Sequence, residues 1–338
     1  MTGLSDTFNR PINYLRISVT DRCNLRCIYC LPAEGIGLLP QGEILTYEEI
    51  ATIARLASEL GINKLRLTGG EPLVRAGLPK LVTMLAKIKA IDDISLTTNG
   101  VLLKEYAGEL KRVGLKRVNV SLDSLNRDKF ERITRRNKLN EVFRGIEAAK
   151  ACGLNPVKIN MVVMRGINDD EIVNFAKLTI TEGWHVRFIE LMPFAADNPP
   201  DGHSIGDRAS LHPAFVSADE IIERLQILGR LEPSLPITGS GPARYFRLPQ
   251  AEGTIGFIAP VSQHFCFSCN RLRLTAEGKL RPCLLSDREI DLRQPLRSRA
   301  TAEELKKVIT EAIQKKPQKH GLILGRASKK RLMSQVGG

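Results

Sequence analysis

Three cysteines within eight residues constrain this chain more than any other feature. The stretch Cys23-Asn24-Leu25-Arg26-Cys27-Ile28-Tyr29-Cys30 spaces them C-x3-C-x2-C, directly after an apolar, β-rich run at 14–20. Thiolates crowded into one short loop can wrap several corners of an iron–sulfur cluster. A [4Fe–4S] cube ordinarily takes four cysteines, so three leave one iron open to a small molecule, much as a zinc site can keep an open position. A zinc loop, a disulfide pair and buried free thiols are the competing readings. Zinc usually takes C-x2-C with a distant second pair, which an odd triplet fits poorly.

Composition agrees with a reduced metalloprotein. The 338 residues suffice for one large domain, or for a barrel with an appendage. There is no run of 18 apolar residues to span a membrane. The stretch Met1 to Arg10 is polar and lacks the apolar core of an export signal. Seven cysteines without such a signal suit a reducing compartment and metal binding rather than disulfides, so a cytoplasmic protein is expected. The formal net charge is +13, and residues 271–338 hold 17 Lys and Arg against 7 Asp and Glu. A basic end can steer a polyanion. Its plainer reading is a solvated surface or a weak RNA-binding tail, and Lys315-Lys316 and Lys329-Lys330-Arg331 are assigned to the solvated class.

Along the chain, strand and helix signals alternate. Thr46 and Glu49 form a capping-box pattern ahead of apolar positions Ile50, Ile53, Ala54, Ala57 and Leu60 at helical spacing, and Gly61 ends that helix. Strands are expected at 14–19, 64–68, 94–98, 117–122, 157–164 and 186–192, with helices near 76–89, 101–113, 139–152 and 169–182. Such alternation predicts a parallel sheet with crossover helices. Six strands are too few for a closed eight-stranded barrel. Polar motifs recur at the strand ends where barrel chemistry gathers: Gly69-Gly70-Glu71-Pro72, Thr97-Thr98-Asn99-Gly100, Ser121-Leu122-Asp123-Ser124 and Met192-Pro193, with Lys158 and Asn160 on the fifth strand. Each alone is an ordinary turn signal. A long loop is expected at 194–213, a helix at 218–228, a linker at 231–242, and short strands at 244–248 and 254–259. Cys152 reads as a packed thiol.

A second triplet follows. Cys266-Phe267-Ser268-Cys269 is C-x2-C, and Cys283 lies 13 intervening residues on. A Cys3His zinc site with His264 and a second three-cysteine cluster are both open. Between its ligands runs Asn270-Arg271-Leu272-Arg273-Leu274. In a strand Arg271 and Arg273 face one side and Leu272 and Leu274 the other. Two arginines beside an open cluster would make a socket for polyphosphate.

The first triplet, with its aromatic Tyr29, resembles the radical S-adenosylmethionine (SAM) superfamily. Both triplets together, the Asn-Arg-Leu-Arg run and a terminal Gly337-Gly338 resemble, over about residues 10–338, the GTP 3′,8-cyclase family of molybdenum cofactor biosynthesis. That resemblance implies an incomplete (β/α)6 TIM-like barrel over 1–230 and a smaller C-terminal α+β layer over 231–338 carrying a second cluster and GTP. It implies two [4Fe–4S] clusters, held by Cys23, Cys27 and Cys30 and by Cys266, Cys269 and Cys283. It carries over Tyr29, Gly70, Ser121 and Met192 as SAM contacts. Arg16, Arg66, Thr97, Lys158, Arg271, Leu272 and Arg273 carry over as GTP contacts, Leu272 through its backbone. The implied reaction takes hydrogen from C3′ of the GTP ribose and joins C3′ to C8 of guanine. The implied partners are GTP, a reducing electron donor and the downstream cyclic pyranopterin monophosphate synthase. No nucleic acid and no membrane are implied, and the chain is expected as a monomer or homodimer. No catalytic residue is implied beyond the cluster and the SAM radical. A peptide-modifying radical SAM maturase with an auxiliary cluster is the alternative, although such enzymes carry more C-terminal cysteines. An iron–sulfur or zinc protein binding RNA ranks last.

Overall fold

In this computed structural model, residues 4–193, 213–238, 241–324 and 331–337 are described. Its centre is an arc of six parallel strands in chain order: β1 Tyr14–Ser18, β2 Lys64–Thr68, β3 Asp93–Thr98, β4 Arg117–Ser121, β5 Lys158–Val163 and β6 His185–Glu190. Crossovers carry α1 Tyr47–Glu59, α2 Leu78–Ala86, α3 Leu103–Arg112, α4 Arg127–Thr134, α5 Leu139–Ala151 and α6 Ile172–Thr181, with α7 Ala218–Leu225 following β6. All six expected strands form, differing only at their ends.

Local chemistry sets the helix ends. Thr46 accepts from the Glu49 N–H while the Glu49 carboxylate accepts from the Thr46 N–H, satisfying two donors that a helix start leaves free. Gly61 adopts φ +103° just past α1, a conformation that a Cβ resists. Of the four described helices that periodicity does not predict, two have caps visible in the sequence. Asn126 caps α4, and Thr301 with Glu304 forms a second capping box at α9 Ala302–Gln314.

Alternation along the strands divides the barrel. Leu15, Ile17, Leu65, Leu67, Leu96, Val118 and Val120 enter one continuous apolar core. Arg16, Arg66, Thr97, Ser121 and Arg187 instead face a cavity. A closed eight-stranded barrel fills its interior with apolar side chains; this interior instead leaves a cavity into which polar side chains project.

The C-terminal region is the smaller α+β part and joins the barrel through its sheet. Strands β7 Glu232–Ser234, β8 Arg244–Arg247, β9 Ile255–Ile258, β10 Arg271–Leu274, β11 Lys279–Arg281 and β12 Ile290–Asp291 extend the same sheet at both ends, in the order β12-β11-β10-β1-β2-β3-β4-β5-β6-β9-β8-β7. β10 joins β1, and β9 joins β6, both parallel. An open arc leaves unpaired N–H and C=O groups on two edges, and the additions satisfy both. The helices α8 Arg293–Arg297, α9 and α10 Met333–Val336 complete the region. The stretch 231–242, expected as a linker, contributes β7 paired with β8. The loop expected at 194–213 falls mostly on residues 194–212, outside the described ones. Trp184 packs against Phe143, ring centroids 6.4 Å apart. Among the described residues no helix is long and apolar enough to cross a membrane.

Candidate active site

Strand register builds the centre of the site. Arg16 on β1 lies opposite Arg273 on β10 and opposite Arg66 on β2. Residues in register on neighbouring strands share a face, so three guanidinium groups form one row across β10, β1 and β2. All three line a cavity of about 280 Å³. Burial and then the neighbouring Arg273 push Arg16 well below its ordinary value. Burial and Arg271 push Arg273 down to about 9. Cations crowded away from water lower each other's affinity for protons, and an anion among them would relieve both terms.

The two cysteine triplets lie on opposite sides of this row, toward the two ends of β1. Cys23 follows the C-terminal end of β1, whereas Cys269 precedes Arg271, which pairs with Tyr14 at the N-terminal end of β1. About 13 Å of strand separates those ends. The arginine row therefore sits deeper in the barrel than the strand-end rule predicts, and the second triplet lies toward the opposite end. All six cysteines line the same cavity, and all seven in the chain are free thiols. Among the described residues, no three His, Cys, Asp or Glu side chains gather closely enough for a single ion. Tetrahedral zinc would need its sulfurs roughly 3.8 Å apart. The corners of a [4Fe–4S] cluster lie farther apart, and three thiols per triplet fit its donor set. His264, the fourth ligand of the zinc reading, is not a cavity residue; it packs edge-on to His320, centroids 6.0 Å apart.

The environments of the triplets differ. Burial pushes Cys23 up to about 11 and Cys30 to about 12. Burial, then Asp123 and the neighbouring thiols, push Cys27 well up. Burial also pushes Cys269 up, but Arg271 and Lys316 bring it down to about 6. The first triplet thus sits among carboxylates and the second among cations.

Around the first triplet, Tyr29 donates from its hydroxyl to Asp123 Oδ2 at 2.6 Å. Asp123 also accepts from the Val162 N–H at 2.8 Å, and burial raises it to about 6. Tyr29, Ser121 and Met192 all line the cavity, as does Gly70, whose small size has a second reason. A Cβ there would stand 2.3 Å from the Arg22 carbonyl oxygen, so the glycine admits the cysteine loop as well as any ligand. Glu71 accepts from Thr98 Oγ1, the Asn99 N–H and the Leu73 N–H; burial raises it to about 7.

Of the expected GTP contacts, Arg16, Arg66, Thr97, Arg271 and Arg273 line the cavity. Arg66 donates to Tyr14 Oη and Thr97 Oγ1. Leu272 is 1% exposed and belongs to the apolar core, so only its backbone is available. Lys158 does not reach the main cavity. It lines a small adjoining recess with Arg66, Arg117 and Arg187, donating to Thr238 O at 2.9 Å and Tyr245 Oη at 3.5 Å. Burial, Arg187, Arg117 and Arg66 lower it to about 7.

Three residues were missed by the sequence reading. Arg187 on β6 is buried and lines both spaces; its inward parity, shared with Ile189, was the available signal. Arg10 donates to Cys266 O at 2.7 Å. Lys316, assigned above to solvent, is 4% exposed and lines the cavity. Arg331 of the other basic run is also not a solvated cation, since it pairs with Glu277 and Glu289, while Lys329 and Lys330 lie outside the described residues. Lys315 keeps the solvated reading and pairs with Glu311. Cys152 packs against the core. At the chain end, Arg273 donates to the carbonyls of Val336 and Gly337. Gly337 has φ +71°, and a Cβ there would meet Thr68 Cγ2 at 2.7 Å. The tail therefore reaches the barrel wall, and Gly338 lies outside the described residues.

The family model described as Radical SAM superfamily matches residues 17–179, and the one described as Molybdenum Cofactor Synthesis C matches residues 184–322. The chain is 53% identical to the GTP 3′,8-cyclase of Desulforamulus reducens, over 98% of this chain and 99% of the relative. It is 52% identical to that of Pelotomaculum thermopropionicum, over 99% and 100%. It is 51% identical to that of Moorella thermoacetica, over 99% and 100%. Among solved structures it is similar to SuiB of Streptococcus suis. The TM-score is 0.59 at 13% identity, covering 92% of this chain and 67% of that one. The SuiB structure bound to S-adenosylmethionine gives TM-score 0.58 at 14% identity, covering 84% of this chain and 64% of that one, so the chain spans just under two thirds of its length. These structural likenesses establish the fold alone.

Proposed function

The chain belongs to the GTP 3′,8-cyclase family of the radical SAM superfamily, and on that premise we propose how its residues divide the work. The enzyme converts GTP to (8S)-3′,8-cyclo-7,8-dihydroguanosine 5′-triphosphate, the first step of molybdenum cofactor biosynthesis, and uses two [4Fe–4S] clusters and SAM. Cys23, Cys27 and Cys30 would hold the first cluster, and Cys266, Cys269 and Cys283 the second. When bound, the first cluster with SAM supplies a radical able to take hydrogen from the substrate ribose. Everything else falls to side chains and backbone, which place the reacting atoms and keep water out.

The observation that carries this reading is the row Arg273, Arg16 and Arg66, set by register between the two triplets. An anionic triphosphate held along it would lie between the two cluster sites. Arg271 and Thr97 would add contacts there, and Lys158 with Arg187 would receive phosphate at the recess. Tyr29, Gly70, Ser121 and Met192 would hold SAM at the C-terminal strand ends. Tyr14 and Thr97 keep the Arg66 guanidinium aimed inward, so part of the ordering cost is met before substrate arrives. Residues 1–230 would carry the radical chemistry and residues 231–338 the second cluster and most of the GTP socket. The maturase reading loses ground because relatives at half identity span the whole chain, whereas SuiB shares only the fold.

The product would pass to cyclic pyranopterin monophosphate synthase, and a reducing donor would supply electrons. The free thiols suit the cytoplasm, and the enzyme would work as a monomer or homodimer. The test is anaerobic: reconstitute the chain, count iron and sulfide, then add SAM and dithionite with GTP, ATP or no nucleotide. About eight irons, two cubes, and 5′-deoxyadenosine rising only with GTP are expected. About four irons without nucleotide preference would return the second triplet to zinc and overturn the substrate assignment.

A further inference from the structure

Lys316 is a buried ammonium group whose neighbours, among the described residues, include no carboxylate that pairs with it. It lies just beyond α9, 4% exposed. Its Nζ donates to Arg271 O at 2.7 Å and to Pro282 O at 2.7 Å. Arg271 follows Cys269 by two residues and Pro282 directly precedes Cys283. One cation therefore joins the two chain segments that bring those thiols to the cavity. Lys316 and Cys269 also feel each other's charge, each favouring the other's ionised form. The groups around Lys316 are the thiols of Cys269 and Cys283 and the Arg271 guanidinium. Burying a charge is costly unless an opposite charge answers it. Among the described residues, the thiolates of Cys269 and Cys283, or a group that they ligate, are placed to do so.

The segment that carries Lys316 is itself fixed. Arg10 donates to Pro317 O at 2.8 Å, to Gln318 O at 3.1 Å and to Cys266 O at 2.7 Å, and is held by Asp6 at 2.6 Å. His320 Nε2 contacts Pro260 O at 2.8 Å. The ammonium thus stands on a clamped strip of backbone and cannot swing to solvent without breaking these contacts.

We propose that Lys316 is a positioning residue of the second cluster site, joining the Cys269 and Cys283 segments and placing a positive charge near their thiols. The inference rests on the assignment of Cys266, Cys269 and Cys283 to a [4Fe–4S] cluster. Hydrogen bonds and positive charge at cluster sulfurs favour the reduced, more negative state. Lys316 therefore raises the second cluster's midpoint potential and leaves the first, at the other end of β1, unaffected.

The test compares the full chain with Lys316→Met and Lys316→Arg after anaerobic reconstitution. Iron and sulfide are counted, and midpoints are read by EPR-monitored redox titration. A chain with Cys23, Cys27 and Cys30 replaced by Ala identifies the second cluster's signal. Lys316→Met is expected to shift that midpoint to more negative potential with the first unchanged, and Lys316→Arg to stay near the unsubstituted value. If Lys316→Met loses the second cluster, retention of cluster and midpoint by Lys316→Arg supports the proposal, and loss in both overturns it. Full iron with an unmoved second midpoint in Lys316→Met also overturns it. An unsubstituted chain with only about four irons would instead overturn the cluster assignment beneath it.

Discussion

Replacing Gly70 by alanine tests how the first cluster loop is held. Gly70 donates its N–H to Thr20 O at 2.8 Å, and Glu71 donates to Arg22 O at 2.8 Å. These bonds lace the end of β2 to the backbone just before Cys23. A Cβ at Gly70 would lie 2.3 Å from Arg22 O, 2.7 Å from Arg22 C and 2.9 Å from Asp21 O. Every near atom is backbone, so no side chain can swing aside. The segments must part by about 0.7 Å to reach even 3.0 Å. Overpacking of this kind costs about 1–3 kcal/mol, and the displacement falls one residue from Cys23, the first of the proposed cluster ligands. We expect Gly70→Ala to fold with a lowered Tm, to lose about half of its iron and nearly all SAM cleavage, and to keep GTP affinity. Iron and sulfide analysis with a 5′-deoxyadenosine assay and GTP titration reads all three. Full iron and normal SAM cleavage in Gly70→Ala would refute the packing argument.

Lys158 gives a pH prediction. Burial and the nearby Arg187 hold it down to about 7, far below a free lysine. A bound phosphate favours the charged form, so binding above that pH takes up a proton. GTP affinity should be full below about pH 7 and fall as pH rises through it, by at most about tenfold per unit. Calorimetry in buffers of different ionisation heat should show proton uptake at pH 8 that vanishes in Lys158→Met; a flat profile would remove Lys158 from the phosphate site. Arg273→Ala removes a buried charged donor, worth about 1.5–3 kcal/mol. GTP binding should weaken roughly 10- to 100-fold with the first cluster's EPR signal intact, and unchanged GTP affinity would dismiss the row as a socket. Cys152→Ser should keep all iron, because Cys152 packs against the outer core; lost iron would make it a ligand.

The sequence by itself determined the six-strand arc and both triplets. Period-two apolar alternation, helix caps and cysteine spacing are local, and each survives without knowledge of the fold. It also determined that Arg271 and Arg273 share a face, since strand parity needs only two residues. Tertiary structure decided what these features meet. Nothing local predicts that β10 returns to pair with β1, yet that pairing sets Arg273 beside Arg16 and puts the second triplet at the far end of the barrel. Lys316 shows the limit most clearly. In sequence it is one of two adjacent lysines before a proline, indistinguishable from Lys315. In the fold Lys315 pairs with Glu311 at the surface, and Lys316 turns inward to two carbonyls 45 and 34 residues away. Charge alone does not say which way a side chain points; the position of α9 against the sheet does.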